Sequence, residues 1–198
     1  MYPNSLKNLI ESFKLLPGIG EKTAERLAFY LINEEKEKTD FFANSIIEAK
    51  EKIKKCSICN CITDDNECMI CKNQNRNKEI LCVVEDPKSI FLFEKIGTYN
   101  GEYHVLDGLI SPLEGIDPDD IGIEKLIKRV QKSKYKEIII AVKPSVEGET
   151  TALYIKKIIE GMNVKVTRIA SGIPIGTDIE YIDTITLERA LSDRKEIE

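Results

Sequence analysis

The apolar side chains of the first 54 residues recur every three or four positions, the spacing that places them on one face of an α-helix. The pattern is interrupted at Pro17-Gly18-Ile19-Gly20, where a proline and two glycines favour a sharp turn. We therefore predict helices over residues 5–54, with a tight hairpin after the first. The apolar positions are Leu6, Leu9, Ile10, Phe13 and Leu16; Leu27, Tyr30 and Leu31; and Phe42, Ile46, Ala49 and Ile53.

Residues 80–170 follow a different pattern, in which short β-rich runs alternate with helical stretches. This alternation favours a parallel sheet with helices on its faces. Asp86 followed by Pro87 predicts a helix start, with aspartate as N-cap and proline at the first helical position. A Gly- and Pro-rich loop at 171–176 precedes a short helix predicted at 187–191. The predicted strands are 80–84, 103–106, 137–142 and 164–169.

Two further predictions concern side chains of this second half. Phe91, Phe93 and Ile96, on the helix after the first predicted strand, are expected in the core. His104 is the only histidine, so it has no second histidine with which to form a catalytic pair. We expect it to lie on a strand as a buried histidine with its hydrogen bonds satisfied.

Composition excludes several classes of protein. Of the 198 residues, 42% are apolar and 32% charged, which is too apolar for wholesale disorder. No apolar run reaches the roughly 20 residues that span a bilayer, and the first sixteen residues lack the uninterrupted apolar segment of a signal peptide. The expectation is a cytoplasmic protein without a membrane partner.

The net charge of −5 argues against a nucleic-acid partner, but the charge is unevenly distributed. Residues 1–78 hold 13 basic and 12 acidic side chains, a net +1, whereas residues 79–198 hold 16 and 22, a net −6. If DNA binds, we expect it on the N-terminal part, through local geometry rather than through a broad basic field.

Six cysteines stand at positions 56, 59, 61, 68, 71 and 82. A cytoplasmic chain keeps its thiols reduced, so a cluster of cysteines points to a metal rather than to disulfides. In the spacing Cys56-x2-Cys59-x8-Cys68-x2-Cys71, each C-x2-C turn directs two thiolates at one centre. We predict one structural zinc ion per chain, since four thiolates leave no open position for water. The alternative is four unliganded structural cysteines.

The two remaining cysteines do not fit this spacing. Cys61 could compete with Cys59 for the metal, although it breaks the two-residue interval. Cys82 lies in a predicted apolar strand, where a free cysteine packs as a small hydrophobic side chain.

The hairpin at residues 16–28, LPGIGEKTAERLA, is a candidate DNA-binding site. Gly18 and Gly20 leave backbone N–H groups open, and together with the N-terminus of the next helix these form a small anion pocket. Lys22 and Arg26 follow four residues apart on one helical face, from which both can reach neighbouring phosphates. The alternative is a simple helix–turn–helix packing element with Ile19 in the core.

The ordered set of motifs resembles the RecR family of bacterial recombination mediator proteins. The resemblance covers essentially the whole chain: the hairpin, the four-cysteine cluster, ILCVVE at 80–85, SPLEGIDPDDI at 111–121, PSVEGET at 144–150 and RIASGIPIG at 168–176. It implies a multi-part α/β protein. Its parts are a helix-hairpin-helix domain over 1–55, a C4 zinc finger over 56–71, a Toprim domain over 79–174, and a C-terminal oligomerisation segment over 175–198.

The Toprim domain implied by this resemblance lacks part of the catalytic pattern. Catalytic Toprim enzymes hold Mg²⁺ with a glutamate, here Glu85, and a later pair of aspartates, where this chain carries Lys143 and Ser145. A lysine ammonium repels Mg²⁺, so we predict no enzymatic activity. RecR-like chains also lack the aspartate pair, although they more often carry asparagine at the position of Lys143. The loop at 172–176 lacks the phosphate-cradling pattern of an ATPase.

Three acidic residues are candidates for binding a protein partner. Glu147 and Glu149, with Glu85 nearby in such a fold, suit a basic protein better than a metal ion. The alternative is a solvated acidic rim with no partner.

The function implied by the resemblance is DNA-binding in recombinational DNA repair. A RecR-like protein acts with RecO and RecF to load RecA on gapped DNA, binds DNA without sequence preference, and assembles into dimers or ring-like tetramers. One alternative is a Mg²⁺-dependent Toprim nuclease or primase. Another is a zinc-stabilised interaction protein that never meets DNA.

Overall fold

The computed structural model describes residues 2–194 and 196, and the chain divides into two compact units, Met1–Ile53 and Lys54–Glu198. The first unit is helical and the second is built around a parallel β-sheet. This mixed α/β architecture confirms the predicted fold class. In the part of the chain that is described, no helix is long and apolar enough to cross a membrane.

The first unit contains α1 (Asn4–Lys14), α2 (Glu21–Asn33) and α3 (Lys36–Lys52). Leu6, Ile10 and Phe13 of α1 pack against Ala24 and Ala28 of α2, both of which are fully buried. Alanine at these two positions lets the helices approach closely. The helical period predicted for α1 and α2 is therefore confirmed. Leu16, which shares that period, is nevertheless 52% exposed because α1 ends at Lys14.

Helix α3 buries none of its side chains in the described structure. Its large apolar residues Phe41, Phe42, Ile46 and Ile47 are all exposed, Phe41 to 76%. A 17-residue helix with four large apolar side chains in water is an exposed hydrophobic surface rather than part of a core.

The second unit begins with a short antiparallel pair, β1 (Lys54–Lys55) and β2 (Ile62–Thr63), and the single turn α4 (Met69–Lys72). The parallel sheet has the order β4-β3-β5-β6. Its elements follow in chain order as β3 (Asn77–Val84), α5 (Pro87–Ile96), β4 (Gly101–Val105), α6 (Ile123–Lys132), β5 (Glu137–Ala141), α7 (Val146–Ile158), β6 (Lys165–Arg168), a 3₁₀ turn (Ile179–Tyr181) and α8 (Thr184–Ser192).

The predicted strands and helix start are confirmed, with shifts of up to three residues at strand ends. Asp86 accepts a hydrogen bond from the Lys88 amide at 2.7 Å, with Pro87 at the first helical position. Val84 lies opposite both Val105 and Ala141. The carboxyl ends of the three strands β3, β4 and β5 are therefore level, which brings the residues that follow them to one edge of the sheet.

Successive side chains of the strands face opposite sides of the sheet and supply two cores. One core contains Leu81, Val83, Ile138 and Ile140 with apolar residues of α6 and α7. The other contains Cys82, Val84, Tyr103 and Val105 with Ile90 of α5 and the cysteine cluster.

The expectation that Phe91 and Ile96 belong to the core is wrong. They are 49% and 57% exposed, while Ile90 is fully buried and Phe93 is half-buried. The ten-residue helix α5 presents one narrow face to the sheet, and Ile90 and Phe93 occupy it at helical spacing.

Candidate metal centre and nucleic-acid interface

The sulfur atoms of Cys56, Cys59, Cys68 and Cys71 all lie within 4.8 Å of one another. The Sγ atoms of Cys59 and Cys68 are 3.5 Å apart. Four thiolates at about 2.3 Å from a tetrahedral zinc would have sulfur–sulfur separations of about 3.8 Å, so the cluster has the dimensions of such a site. Three of the cysteines are buried and Cys71 is half-buried. This group can hold a metal ion.

Local backbone hydrogen bonds shape both halves of the cluster. After β1, the Cys56 amide donates to the Cys61 carbonyl at 2.7 Å, and the Asn60 amide donates to the Cys56 carbonyl at 3.0 Å. Cys68 is the N-cap of α4, and its amide donates to the Cys56 sulfur at 3.3 Å. Hydrogen bonding to the Cys59 thiol, and then to that of Cys71, holds the pKa of Cys68 well below its ordinary value. The same contacts raise the pKa values of the Cys59 and Cys71 thiols, so Cys68 is the member of this coupled group that ionises first.

Cys61 and Cys82 lie outside the four-sulfur group, which is the only candidate metal cluster among the described residues. Burial raises the pKa of Cys61 to about 11 and that of Cys82 to about 12, so both remain thiols at neutral pH. Cys82 is buried within β3, as predicted.

The cysteine cluster is attached to the edge strand β4 by backbone and side-chain hydrogen bonds. The Val105 amide donates to the Cys59 carbonyl at 2.8 Å, and Nδ2 of Asn60 donates to the Val105 carbonyl at 3.1 Å. The same Nδ2 also donates to the carboxylate of Asp107, at 3.1 Å. Asn60 adopts a left-handed conformation, with φ 66°, that asparagine tolerates better than most residues. These contacts cover part of a sheet edge that would otherwise expose backbone groups.

Sequence reasoning did not identify Asn60. The sequence indicates only that Asn60 stands between Cys59 and Cys61, at a point where a C-x2-C turn must reverse direction. Its partner on β4 is 45 residues away in sequence and could not be inferred from local spacing.

The glycines of the predicted hairpin adopt the conformations that an open anion pocket requires. Gly18 is left-handed, with φ 80°, and Gly20 is the extended N-cap residue of α2. Glycine has no side chain with which to cap the helix, so the first amides of α2 have neither an intrahelical nor a side-chain capping partner in the part of the chain that is described. A Cβ atom at either glycine would meet nothing within 4 Å. The turn therefore presents backbone N–H groups on an unobstructed surface.

Lys22 and Arg26 are exposed and lie four residues apart on the first two turns of α2. Neither forms an ion pair with any residue in the described part of the chain. By contrast, Lys14 contacts Glu21 at 2.7 Å and Glu11 at 2.9 Å, and these carboxylates raise its pKa. Ile19 is half-buried against the α1–α2 core, so the hairpin combines a packing role with two uncompensated cations.

The residues that correspond to a Toprim catalytic site lie where β3 and β5 end. The Glu85 carboxylate accepts a hydrogen bond from the backbone amide of Lys143 at 3.2 Å. Ser145 caps α7 by accepting from the Gly148 amide, also at 3.2 Å. A Cβ atom on Gly148 would lie 2.0 Å from the Lys143 carbonyl oxygen, so only glycine fits against this loop.

Glu147 and Glu149 differ in how they are engaged. A hydrogen bond from Ser145, a backbone amide and nearby Lys143 hold the pKa of Glu147 below its ordinary value. Glu149 forms an ion pair with Arg168 of β6. Among the described residues, Glu85, Glu147 and Glu149 are not part of a close group of metal ligands.

His104 lies on β4 and is 2% exposed, as expected of a strand histidine, but its hydrogen bonds are not all satisfied. Its Nδ1 atom has no hydrogen-bond partner among the described residues. Burial, and then the positive charges of Arg129 and Lys125, lower the pKa of His104 to about 3. The ring is neutral and belongs to the core.

Comparison with known protein families identifies three segments of this chain. Residues 6–50 match the model described as RecR, helix-hairpin-helix, and residues 172–195 match the model described as RecR, C-terminal. Residues 79–170 match the Toprim domain. The three segments occur in the order expected from the motifs, which confirms the resemblance drawn from the sequence.

Proposed function

Because this chain belongs to the RecR family of recombination mediators, we propose that it binds DNA without sequence preference during recombinational repair and has no catalytic activity of its own. In this role it acts with RecO and RecF to help load RecA on gapped DNA. The observation that carries the proposal is the hairpin, where Gly20 offers no side-chain cap to the first amides of α2 and where Lys22 and Arg26 have no ion-pair partner among the described residues.

The hairpin geometry supports contact with the sugar-phosphate backbone. Open amides at a helix N-terminus hold a phosphate oxygen, and Lys22 and Arg26 reach phosphates on either side. Ammonium, guanidinium and backbone N–H groups at an exposed turn suit phosphate oxygens, so we expect binding to depend on backbone shape and charge rather than on sequence.

Four thiolates support a structural zinc ion in the cluster of Cys56, Cys59, Cys68 and Cys71. Zinc accepts an all-sulfur tetrahedral shell, whereas magnesium and calcium prefer oxygen ligands. When bound, the ion contributes folding free energy and no chemistry of its own. The cysteines orient the loop that carries Asn60 against β4.

Exposed apolar surfaces support self-association into a dimer or a tetrameric ring. Helix α3 exposes Phe41, Phe42, Ile46 and Ile47, and the C-terminal region exposes further apolar side chains, including Ile175, Ile179, Tyr181 and Ile185. A stable single chain rarely leaves such surfaces in water. Several copies would also multiply the few phosphate contacts that one hairpin can make, through effective concentration.

The acidic residues support contact with a basic protein partner. Glu85 and Glu147 lie near the carboxyl edge of the sheet, and neither forms an ion pair with a described residue. Glu149 already contacts Arg168, so we assign it a smaller share of this interface than the other two.

A Mg²⁺-dependent Toprim enzyme remains the competing function. Lys143 and Ser145 occupy the aspartate positions, and the lysine ammonium would oppose a divalent cation there. Incubating the purified protein with gapped DNA, nucleoside triphosphates and Mg²⁺ should give neither cleavage nor primer synthesis. Turnover that is lost in Glu85→Gln would establish the enzyme instead.

The DNA-binding proposal is tested by fluorescence anisotropy with a labelled gapped duplex at low salt. Replacing Lys22 and Arg26 together by alanine should abolish binding. The matched control replaces Lys7 and Lys50, two other exposed lysines of the same unit without ion pairs to described residues, and should retain most of the affinity. Equal affinity of the two double variants would move the DNA site away from the hairpin.

A further inference from the structure

Helix α6 and the turn that follows it carry a row of lysines on a domain that is otherwise acidic. Every exposed side chain between residues 123 and 136 is glutamate, glutamine or lysine. We refer to the five lysines among them as the basic stripe: Lys125, Lys128, Lys132, Lys134 and Lys136.

The charge of this segment contrasts with its surroundings. Residues 123–136 contain six basic side chains and one acidic side chain, a net charge of +5. The remainder of residues 79–198 contains 10 basic and 21 acidic side chains, a net charge of −11. The net charge of −6 over residues 79–198 is therefore an average that includes a local concentration of positive charge at residues 123–136.

The described structure leaves much of this charge uncompensated. Lys128 contacts Glu124 at 2.6 Å, and Lys136 contacts Glu79 at 2.7 Å. Lys125, Lys132 and Lys134 form no ion pair with a described residue.

Arg129, the remaining cation of the segment, has a different role. It turns inward, is 11% exposed, and binds the Glu102 carboxylate at 2.8 Å and the Tyr103 carbonyl. Arg129 therefore stabilises the fold through contacts that Lys125, Lys132 and Lys134 do not make with any described residue.

Helix stability alone does not explain the basic stripe. Cations are favoured in the last turn of a helix, which accounts for Lys132, but Lys125 lies in the first turn, where the helix dipole disfavours a positive charge. Lys125, Lys128 and Lys132 are spaced three and four residues apart, so like charges repel along one face. A negatively charged ligand would offset both the unfavourable interaction of Lys125 with the helix dipole and the repulsion between the lysines.

We propose that the basic stripe binds the sugar-phosphate backbone of DNA, as a second contact in addition to the hairpin. The inference rests on the proposed DNA-binding function. The stripe offers ammonium groups and no exposed apolar anchor of the kind that dominates protein–protein interfaces. Lys125 to Lys132 spans about 10 Å of helix, which corresponds to roughly three phosphates of one strand.

The test compares two triple variants with the same loss of charge. In the stripe variant, Lys125, Lys132 and Lys134 are replaced by glutamine. In the control variant, glutamine replaces Lys156, Lys157 and Lys165, which are exposed on α7 and β6 and also lack ion pairs to described residues. Affinity for a labelled single-stranded 20-nucleotide probe is measured between 50 and 200 mM salt. The stripe variant should lower the salt slope of log K by about 2, and the control should leave it nearly unchanged.

A second measurement reports on the site without any substitution. Acetylation of the wild-type lysines is followed by mass spectrometry with and without the same oligonucleotide. Lys125, Lys132 and Lys134 should be protected by DNA, whereas Lys156 and Lys157 should react at the same rate in both samples. Thermal unfolding of both triple variants should match the wild type, since all six lysines are exposed.

The outcomes separate this inference from the proposed function. In one outcome, the wild type binds DNA, replacement of Lys22 and Arg26 abolishes that binding, and the stripe variant keeps the wild-type salt slope. The proposed function then stands, and the inference about the basic stripe is wrong. If the wild type does not bind DNA, both fail. In a third outcome, the stripe variant binds DNA with wild-type affinity but no longer binds a polyglutamate peptide that the wild type binds. The partner of the stripe is then an acidic protein, and its assignment to DNA is wrong.

Discussion

The backbone amide of Val105 donates a hydrogen bond to the carbonyl of Cys59 at 2.8 Å, which joins an edge strand of the parallel sheet to the first pair of cysteines in the candidate metal centre. Asn60 strengthens the connection from the neighbouring position, since its side chain donates to the carbonyl of the same valine. The cysteine cluster is therefore part of the second core and not a separate appendage. Its metal state and the order of β4 should be linked.

Metal removal should loosen β4 before it unfolds the rest of the sheet. Treating the protein with a zinc chelator should remove one equivalent of zinc per chain and speed hydrogen exchange at the Val105 amide, by about fivefold if one hydrogen bond of about 1 kcal/mol is lost. Amides of β5, in the sheet centre, should change less. Re-addition of zinc should restore the original rate. Unchanged exchange at Val105 in the metal-free protein would contradict the link.

Replacing Gly20 by aspartate should separate helix stability from DNA binding. An aspartate at the N-cap accepts from the first amides of α2, so the free energy of unfolding should stay equal or rise by a few tenths of a kcal/mol. The same side chain occupies those amides and repels phosphate, so affinity for DNA should fall. Gly20→Asn is the matched variant, because it caps without charge and should weaken binding less. Undiminished binding by both variants would exclude the amides from the site.

Replacing Gly148 by alanine should destabilise the second unit. The new methyl would lie 2.0 Å from the Lys143 carbonyl, which forces the loop away from α7 at a cost of about 1–3 kcal/mol. Gly172→Ala is the control, since a Cβ there meets nothing within 4 Å, and its effect should be within about 0.5 kcal/mol. Urea unfolding of the two variants measures the difference, and equal stabilities would refute the steric argument.

Introducing a charge on α3 should dissociate the oligomer without unfolding the chain. Phe41 is 76% exposed, so Phe41→Glu removes little buried area within one chain but places a carboxylate in an apolar interface. Light scattering over a concentration series should show a smaller particle than the wild type. Lys50→Glu changes charge on the same helix without removing an apolar side chain, and should keep the wild-type mass. A wild type that is monomeric at every concentration would remove the basis for this prediction.

His104 should make the stability of the fold depend on pH. Its folded pKa of about 3 lies below the ordinary value of 6.5, so between these limits the unfolded chain binds the extra proton and stability falls as pH falls. From pH 6.5 to pH 5 this loss amounts to about 1.6 kcal/mol. The negative charge of Asp107 opposes part of this shift in pKa. His104→Gln should unfold with a shallower pH dependence over this range, and parallel curves for the two proteins would show that the histidine does not contribute.

Much of the architecture was predictable because it follows from local chemistry. The strand–helix alternation, the Asp86–Pro87 helix start and the buried face of α1 each depend on residues within a few positions of one another. Phe91 shows the limit of such reasoning. Phe91 is a large apolar side chain in a largely apolar helix. The sheet nevertheless determines which face of α5 is buried, and Phe91 lies outside that face.

The candidate sites divide in the same way. The four clustered cysteines and the glycine hairpin with Lys22 and Arg26 could be predicted from local order alone, since spacing along the chain sets the geometry of a C-x2-C turn and of a helix N-terminus. Two features follow from packing and not from spacing: Asn60 joins the cluster to β4, and Arg129 pairs with Glu102 in the interior while the neighbouring lysines face solvent. Those outcomes depend on partners 26 to 45 residues away, because burial and charge pairing are properties of the packed chain.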